Sequence, residues 1–152
     1  MEAQIFSLMK APFLMNDTLH LQEFYAVALL DLVVQHLELL DAATDYGIAL
    51  LCAEALGAME ALSAATLDYL KTRQQFGAPL GKFQALQHRM AEMFMQLEQA
   101  RSMATLAAVR VGSADPVERR RTVSAAKARI GQALKIVAQE AVQLHGGMGV
   151  TD

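Results

Sequence analysis

The sequence predicts an all-α protein: an antiparallel helical bundle of three long helices plus an N-terminal helix. Three observations carry that expectation. Alanine, leucine and methionine dominate a chain that is 54% hydrophobic, with few aromatics and no tryptophan; such a composition favours helices. Long segments repeat their apolar residues at three- and four-residue spacing, and none alternates as a half-buried strand does. Pro12, Pro79 and Pro116 all fall where turns are wanted. At 152 residues the chain has enough length for one full core.

Residues 1–18 show weak periodicity, and Pro12 with Asn16-Asp17-Thr18 reads as a loop leading into a helix cap. From Leu19 to about His36 the pattern is helical. Phe24, Ala28, Asp31/Leu32 and Gln35 trace one row, and Leu21, Tyr25 and Leu29 another. This stretch is apolar nearly all round, so it should be buried or packed against another chain. A second helix is expected from about Glu38 to Arg73, with Leu51, Ala55, Ala58, Leu62 and Ala65 as its stripe and Gly47 and Gly57 lowering its propensity. The segment Gln75-Phe76-Gly77-Ala78-Pro79-Leu80-Gly81 ends that pattern in a loop.

The next helix is expected from about Lys82 to Val111, lined by Phe83, Leu86, Met90, Met93/Phe94, Leu97 and Ala104. Gly112-Ser113-Ala114 forms a turn. Asp115 then caps a third long helix, with Pro116 at its first position and Glu118 three residues on, close to a capping box. Val123, Ile130, Leu134, Val137 and Ala141 carry it to about Leu144. No strand, repeat or low-complexity tract is predicted.

Composition narrows the function classes. A net charge of −3 argues against a nucleic-acid partner, and Arg119-Arg120-Arg121 reads as the solvated first turn of a helix. Cys52 has no partner for an intrachain disulfide and reads as a small core residue, which suits a reducing, cytoplasmic location. No signal peptide is expected. No membrane partner is expected either, because the apolar run Phe24–Val34 contains Asp31 and is short for a bilayer. His88 and Glu92 share a helix face, but no second pair stands at ligand spacing, so no metal site is assigned. Neither a nucleophile elbow nor a phosphate-cradling Lys-Ser/Thr loop is present.

Two segments can carry chemistry. Arg73-Gln74-Gln75-Phe76-Gly77 stands between two long helices and offers a phosphate-gripping cation, an aromatic wall and a turn. An arginine there also suits the helix dipole, so the segment alone decides nothing. The other is Gln143-x-x-Gly146-Gly147-x-Gly149, where three glycines in four residues clear side chains from the backbone at a helix end. It too reads equally as a flexible helix terminus.

Taken in order, four segments resemble one family. They are Glu54–Glu60 (EALGAME), Tyr69–Leu80 (YLKTRQQFGAPL), Phe83–Met93 (FQALQHRMAEM) and Gln143–Gly149 (QLHGGMG). They are similar to the C-terminal helical domain of acyl-CoA dehydrogenases, most of all the bacterial pimeloyl-CoA dehydrogenase small-subunit type. The resemblance covers residues 41–152 and leaves residues 1–40 as a divergent segment with one helix.

The resemblance implies an FAD enzyme that forms dimers or tetramers through this domain, with the cofactor lying between subunits. Arg73, Gln75 and Phe76 would meet the pyrophosphate and adenine side of an FAD held mainly by a neighbour. Phe83 and Gln84 match a second cofactor contact, and Gln143, Gly146 and Gly147 lie in the segment that passes along the adenosine–pyrophosphate portion. The family removes the α-proton of an acyl-CoA thioester with a carboxylate while flavin N5 accepts the β-hydride. That base is expected past Asp152, or at a position that matches Gly47, so no catalytic residue is assigned. Asp45 matches a position near the substrate. Without the family's N-terminal and middle β domains and its C-terminal end, the chain is expected to be inactive alone. The alternative is a non-catalytic helical oligomerisation module that kept the fold and lost the chemistry. The helix at 19–36 is expected to fill the groove that the family's last helices would occupy, in its own subunit or a neighbour's.

Overall fold

A computed structural model of the chain describes residues 18–149, and their side chains from Glu23 onward. The expected loop at Pro12 and the Asn16-Asp17 cap lie outside the described residues. The chain divides into two compact units, residues 1–41 and 42–152.

One 55-residue helix, α1 (Thr18–Thr72), replaces the two helices expected at 19–36 and 38–73. The junction residues His36-Leu37-Glu38 include neither glycine nor proline. Nothing therefore interrupts the backbone ladder there. Among the described residues, Glu23–Thr72 is one helix long and apolar enough to cross a bilayer, with a mean hydropathy of 1.6 over its most apolar window.

Within the first unit, every residue from 23 to 41 is exposed. Its polar groups are satisfied along the helix: the Gln35 amide donates to Asp31 Oδ2 at 3.0 Å, and His36 Nδ1 pairs with the Leu32 carbonyl at 2.6 Å.

In the second unit, α1 is followed by a small antiparallel hairpin that the sequence did not predict. Strand β1 (Gln74–Gln75) pairs with β2 (Ala78–Pro79), Gln74 opposite Pro79 and Gln75 opposite Ala78. Phe76 (φ 56°) and Gly77 (φ 78°) make the turn. Two consecutive positive φ values match the twist of a tight hairpin, so the pairing follows from the turn rather than from strand propensity. A 3-10 turn (Leu80–Lys82) leads into α2 (Gln84–Arg110). Gly81 lies against α1 so closely that a Cβ would meet the Leu70 carbonyl oxygen at 3.1 Å.

Helix α3 (Pro116–His145) starts at the expected cap, where Asp115 Oδ1 accepts the Val117 and Glu118 N–H groups at 2.9 and 3.4 Å. Glu118 does not close a capping box. Its carboxylate accepts the Ser113 hydroxyl at 3.1 Å and pairs with Arg110 at 3.2 Å, while Ser113 Oγ accepts the Asp115 N–H. A final 3-10 turn occupies Gly146–Gly149.

The core is a seam of small and medium side chains. Ala100, Ala104 and Ala107 on α2 meet Ala126, Ile130, Ala133, Val137 and Ala141 on α3, with Cys52, Met59 and Leu70 from α1. Alanines on facing helices let the backbones approach closely and the ridges interlock. On α1 the buried row is Cys52, Met59, Ser63, Thr66 and Leu70. The expected stripe was set about one residue away: Leu51 and Leu62 are exposed, as is Phe94 on α2, whose partner in that expectation, Met93, is fully buried. The Arg89 guanidinium clamps the Glu140 carboxylate through two bonds of 2.6 and 3.0 Å and ties α2 to α3.

Candidate functional site

The functional candidates gather where α1 ends, the hairpin turns and α3 stops. Tyr69, Arg73, Gln75 and Leu80 form one wall of a groove, and Gln143, Leu144, His145, Gly146, Gly147 and Met148 form the other. Its volume is about 490 Å³, in the range of small-molecule sites.

Each of the three glycines has its own reason to be there. Gly146 takes φ 59° with ψ −136°, a backbone region open essentially to glycine alone. At Gly149 a Cβ would fall 2.5 Å from the Val142 carbonyl oxygen and 3.1 Å from His145 Cβ, so the turn folds back too tightly for any side chain. At Gly147 a Cβ would meet nothing within 4 Å, which leaves its backbone open.

An aromatic pair braces this turn. The rings of Tyr69 and His145 stack at 4.4 Å with 27° between their planes. Tyr69 also donates its hydroxyl to the His145 carbonyl at 3.4 Å, and His145 Nδ1 pairs with the Ala141 carbonyl at 2.8 Å. The last turn of α3 is thus held to the last turns of α1. Arg73 is fixed through its backbone: its N–H donates to Tyr69 O at 2.8 Å and its carbonyl accepts the Leu80 N–H at 2.9 Å. Its guanidinium is exposed and takes no protein partner among the described residues.

Five of the eight expected cofactor residues come together in the groove: Arg73, Gln75, Gln143, Gly146 and Gly147. Phe76, Phe83 and Gln84 do not line it. Phe76 stands 91% exposed on the hairpin tip, edge-on to Phe83 with ring centroids 6.1 Å apart, and Gln84 opens α2 beside them. Sequence reasoning missed Tyr69 and His145. The signal was available, since Tyr69 lies one helical turn before Arg73 and His145 lies inside the glycine motif.

Far from this groove, Asp45 and Arg119 form a buried ion pair. Asp45 is 4% exposed, and its Oδ2 accepts the Arg119 Nε–H at 2.9 Å. The solvated reading of the arginine run therefore fails at its first member, while Arg120 and Arg121 are exposed. The Asp45 carboxylate expected near a substrate is already engaged. Among the described residues no three His, Cys, Asp or Glu side chains come together as a metal site. Burial pushes the Cys52 thiol up from its ordinary value, with Lys127 pulling weakly the other way. That marks an inert core thiol rather than a nucleophile.

Comparison with known proteins decides the family. The profile of the acyl-CoA dehydrogenase C-terminal domain matches residues 38–152. The chain belongs to the acyl-CoA dehydrogenase family. It is 41% identical over 109 residues to acyl-CoA dehydrogenase IpdE2 of Mycobacterium tuberculosis, a match that covers 70% of this chain and 31% of that protein. The butyryl-CoA dehydrogenase of Megasphaera elsdenii superposes with a TM-score of 0.65 at 37% identity, over 73% of this chain and 29% of that one. PigA, solved with FAD and proline, superposes at a TM-score of 0.64 and 29% identity, over 70% of this chain and 27% of its own. The chain thus spans about a third of the length of the curated relatives it matches. The hairpin, the groove and the glycine turn all belong to the family's C-terminal helical domain.

Proposed function

We propose that this chain is the FAD-contacting helical part of an acyl-CoA dehydrogenase and grips the cofactor's pyrophosphate–adenosine edge in the groove between Arg73 and the Gly146–Gly149 turn. The single observation that carries this is the exposed Arg73 guanidinium, unpartnered among the described residues, in the same groove as the backbone of Gly146 and Gly147. A dinucleotide edge asks for these groups: a forked cation for two phosphate oxygens, amide side chains, and backbone that can be approached closely. The Gln75 and Gln143 amides supply donors and acceptors for ribose and adenine. Phe76 and Phe83 offer an exposed aromatic edge beside the groove. A groove of about 490 Å³ takes part of the cofactor only, which fits a site shared with a second subunit in a dimer or tetramer.

FAD, when bound, supplies the hydride acceptor for α,β-dehydrogenation of an acyl-CoA. The residues of this chain bind and orient; none of them is assigned as the base. Asp45 is locked to Arg119, and Gly47 stands where some family members carry the carboxylate. The chain by itself is therefore proposed to be inactive, and to act in the cytoplasm. The locked Asp45 equally favours a second reading, an oligomerisation module without chemistry.

Titration of the purified chain with FAD, followed by flavin fluorescence, separates the two. Saturable binding that ADP competes with, and that Arg73→Ala abolishes, supports the cofactor edge. A colourless protein that leaves flavin fluorescence unchanged supports the module.

A further inference from the structure

Residues 26–40 of α1 carry a seven-residue repeat that neither the cofactor groove nor the core uses. Ala26, Val33 and Leu40 recur every seven residues, with Leu29 and His36 three residues after the first two. Those are the a and d positions of a helix-packing seam. The flanking e and g positions hold only leucine, whereas Asp31 and Glu38 fall on the far side at f. All of these residues are exposed.

We propose that this segment is an interface between copies of the chain, each helix packing its a/d/e/g face against the same face of another copy. The charges favour this partner. The segment bears acids only, and no lysine or arginine occurs between Lys10 and Lys71. Self-packing points Asp31 and Glu38 outward to water, so like charges never meet across the seam. A bilayer is a poorer match: a span centred on this segment would bury the Asp31 carboxylate near its middle, and no lysine or arginine between Lys10 and Lys71 anchors its ends.

The area is sufficient. Seven leucine and valine side chains on this face each keep more than half of their surface exposed. At roughly 100 Å² apiece they present on the order of 700 Å² per copy, close to the roughly 800 Å² per partner of a standard specific interface. Apolar e and g positions widen the seam beyond the narrow stripe of a two-stranded coil, which favours a bundle of more than two helices. His36 at d has one ring nitrogen already paired with the Leu32 carbonyl, which lowers its cost inside such a seam. This interface is independent of the flavin groove.

The test uses the full chain. Cys52 is buried, so Val33→Cys places one accessible thiol at the middle of the seam, where parallel and antiparallel pairing both bring copies together. Asp31→Cys places one on the outer face. Oxidation with copper phenanthroline is expected to cross-link Val33→Cys into a disulfide-linked dimer and to leave Asp31→Cys at least tenfold less cross-linked. Val33→Glu with Leu40→Glu is expected to lower the mass measured by light scattering, and Gln35→Glu to leave it unchanged. Equal cross-linking at both positions would overturn the proposal. So would an unchanged mass in the double variant, or co-sedimentation of the unmodified chain with phosphatidylcholine–phosphatidylglycerol vesicles. Oligomers built only through residues 42–152 would cross-link Val33→Cys no better than Asp31→Cys, so the two kinds of assembly are distinguished.

Discussion

Replacing Arg119 with methionine should strongly destabilise the second unit. Methionine keeps much of the arginine stem but removes the charge, and it strands the Asp45 carboxylate at 4% exposure. The pair has a bond of 2.9 Å and side-chain exposures of 12% and 6%, so little solvent screening discounts it. Removing one member of such a pair costs about 3–5 kcal/mol, because the remaining charge stays buried without compensation. For a domain of this size each kcal/mol moves the melting temperature by roughly 2–4 °C. A fall of about 10 °C is therefore expected in a calorimetric or far-ultraviolet circular dichroism melt. The double variant Asp45→Leu with Arg119→Met should recover most of that loss, since the site then holds two apolar side chains and no charge. Asp45 and the groove lie at opposite ends of the α1 segment from 45 to 73, roughly 40 Å apart at 1.5 Å per residue. Flavin affinity should consequently survive in the double variant. An Arg119→Met protein that melts within 2 °C of the parent would refute the account of a buried, unscreened pair.

Three further outcomes are expected. The Cys52 thiol is pushed up by burial in the folded state, so its contribution to stability is complete below the unfolded thiol's pKa and is lost as pH rises toward the folded value; Cys52→Val should flatten the decline of urea-unfolding stability above about pH 8.5. Gly149→Ala sets a Cβ 2.5 Å from the Val142 carbonyl oxygen, so it should weaken flavin binding by about tenfold or more, or ~1.4 kcal/mol, with less than a 3 °C change in melting. Asp115→Ala removes the oxygen that accepts two N–H groups at the start of α3 and should cost about 1 kcal/mol in urea unfolding, with no effect on the flavin titration.

What could be read in advance depended on whether local chemistry alone fixed the answer. The start of α3 was legible because Asp115-Pro116 is a cap signal complete within two residues. Its end was legible because paired glycines after His145 are a helix-stop signal, and Gly146 leaves the αR region at φ 59°. The phase of α1 was not legible. With Leu50, Leu51, Cys52 and Ala53 in a row, apolar residues point in every direction, and only the facing alanines of α2 and α3 select Cys52 over Leu51 for the interior. The hairpin was missed for the opposite reason. Its strands are two residues each, too short for any periodicity, and they exist because Phe76 accepts a positive φ. The Asp45–Arg119 pair spans 74 positions, so no local pattern could announce it.

The same distinction explains why the candidate groove was only partly foreseen. Residues that bare the backbone or carry a charge are recognisable by type, and Arg73, Gly146 and Gly147, singled out in the sequence, line one groove. Residues whose role is to hold those in place are recognisable only through contacts. Tyr69 and His145 are ordinary helix residues in the sequence, yet their stacked rings and the Tyr69 hydroxyl on the His145 carbonyl connect α1 to the glycine turn. That brace adds to the core packing of Leu70 and Leu144 in fixing where Arg73 and Gly147 stand, and a two-point grip on a ligand tolerates little displacement. The glycine turn offers the backbone, but the aromatic pair helps set where it is offered. The two parts of the motif, 70 residues apart in the chain, therefore act as one surface only because the bundle core aligns α1 with α3.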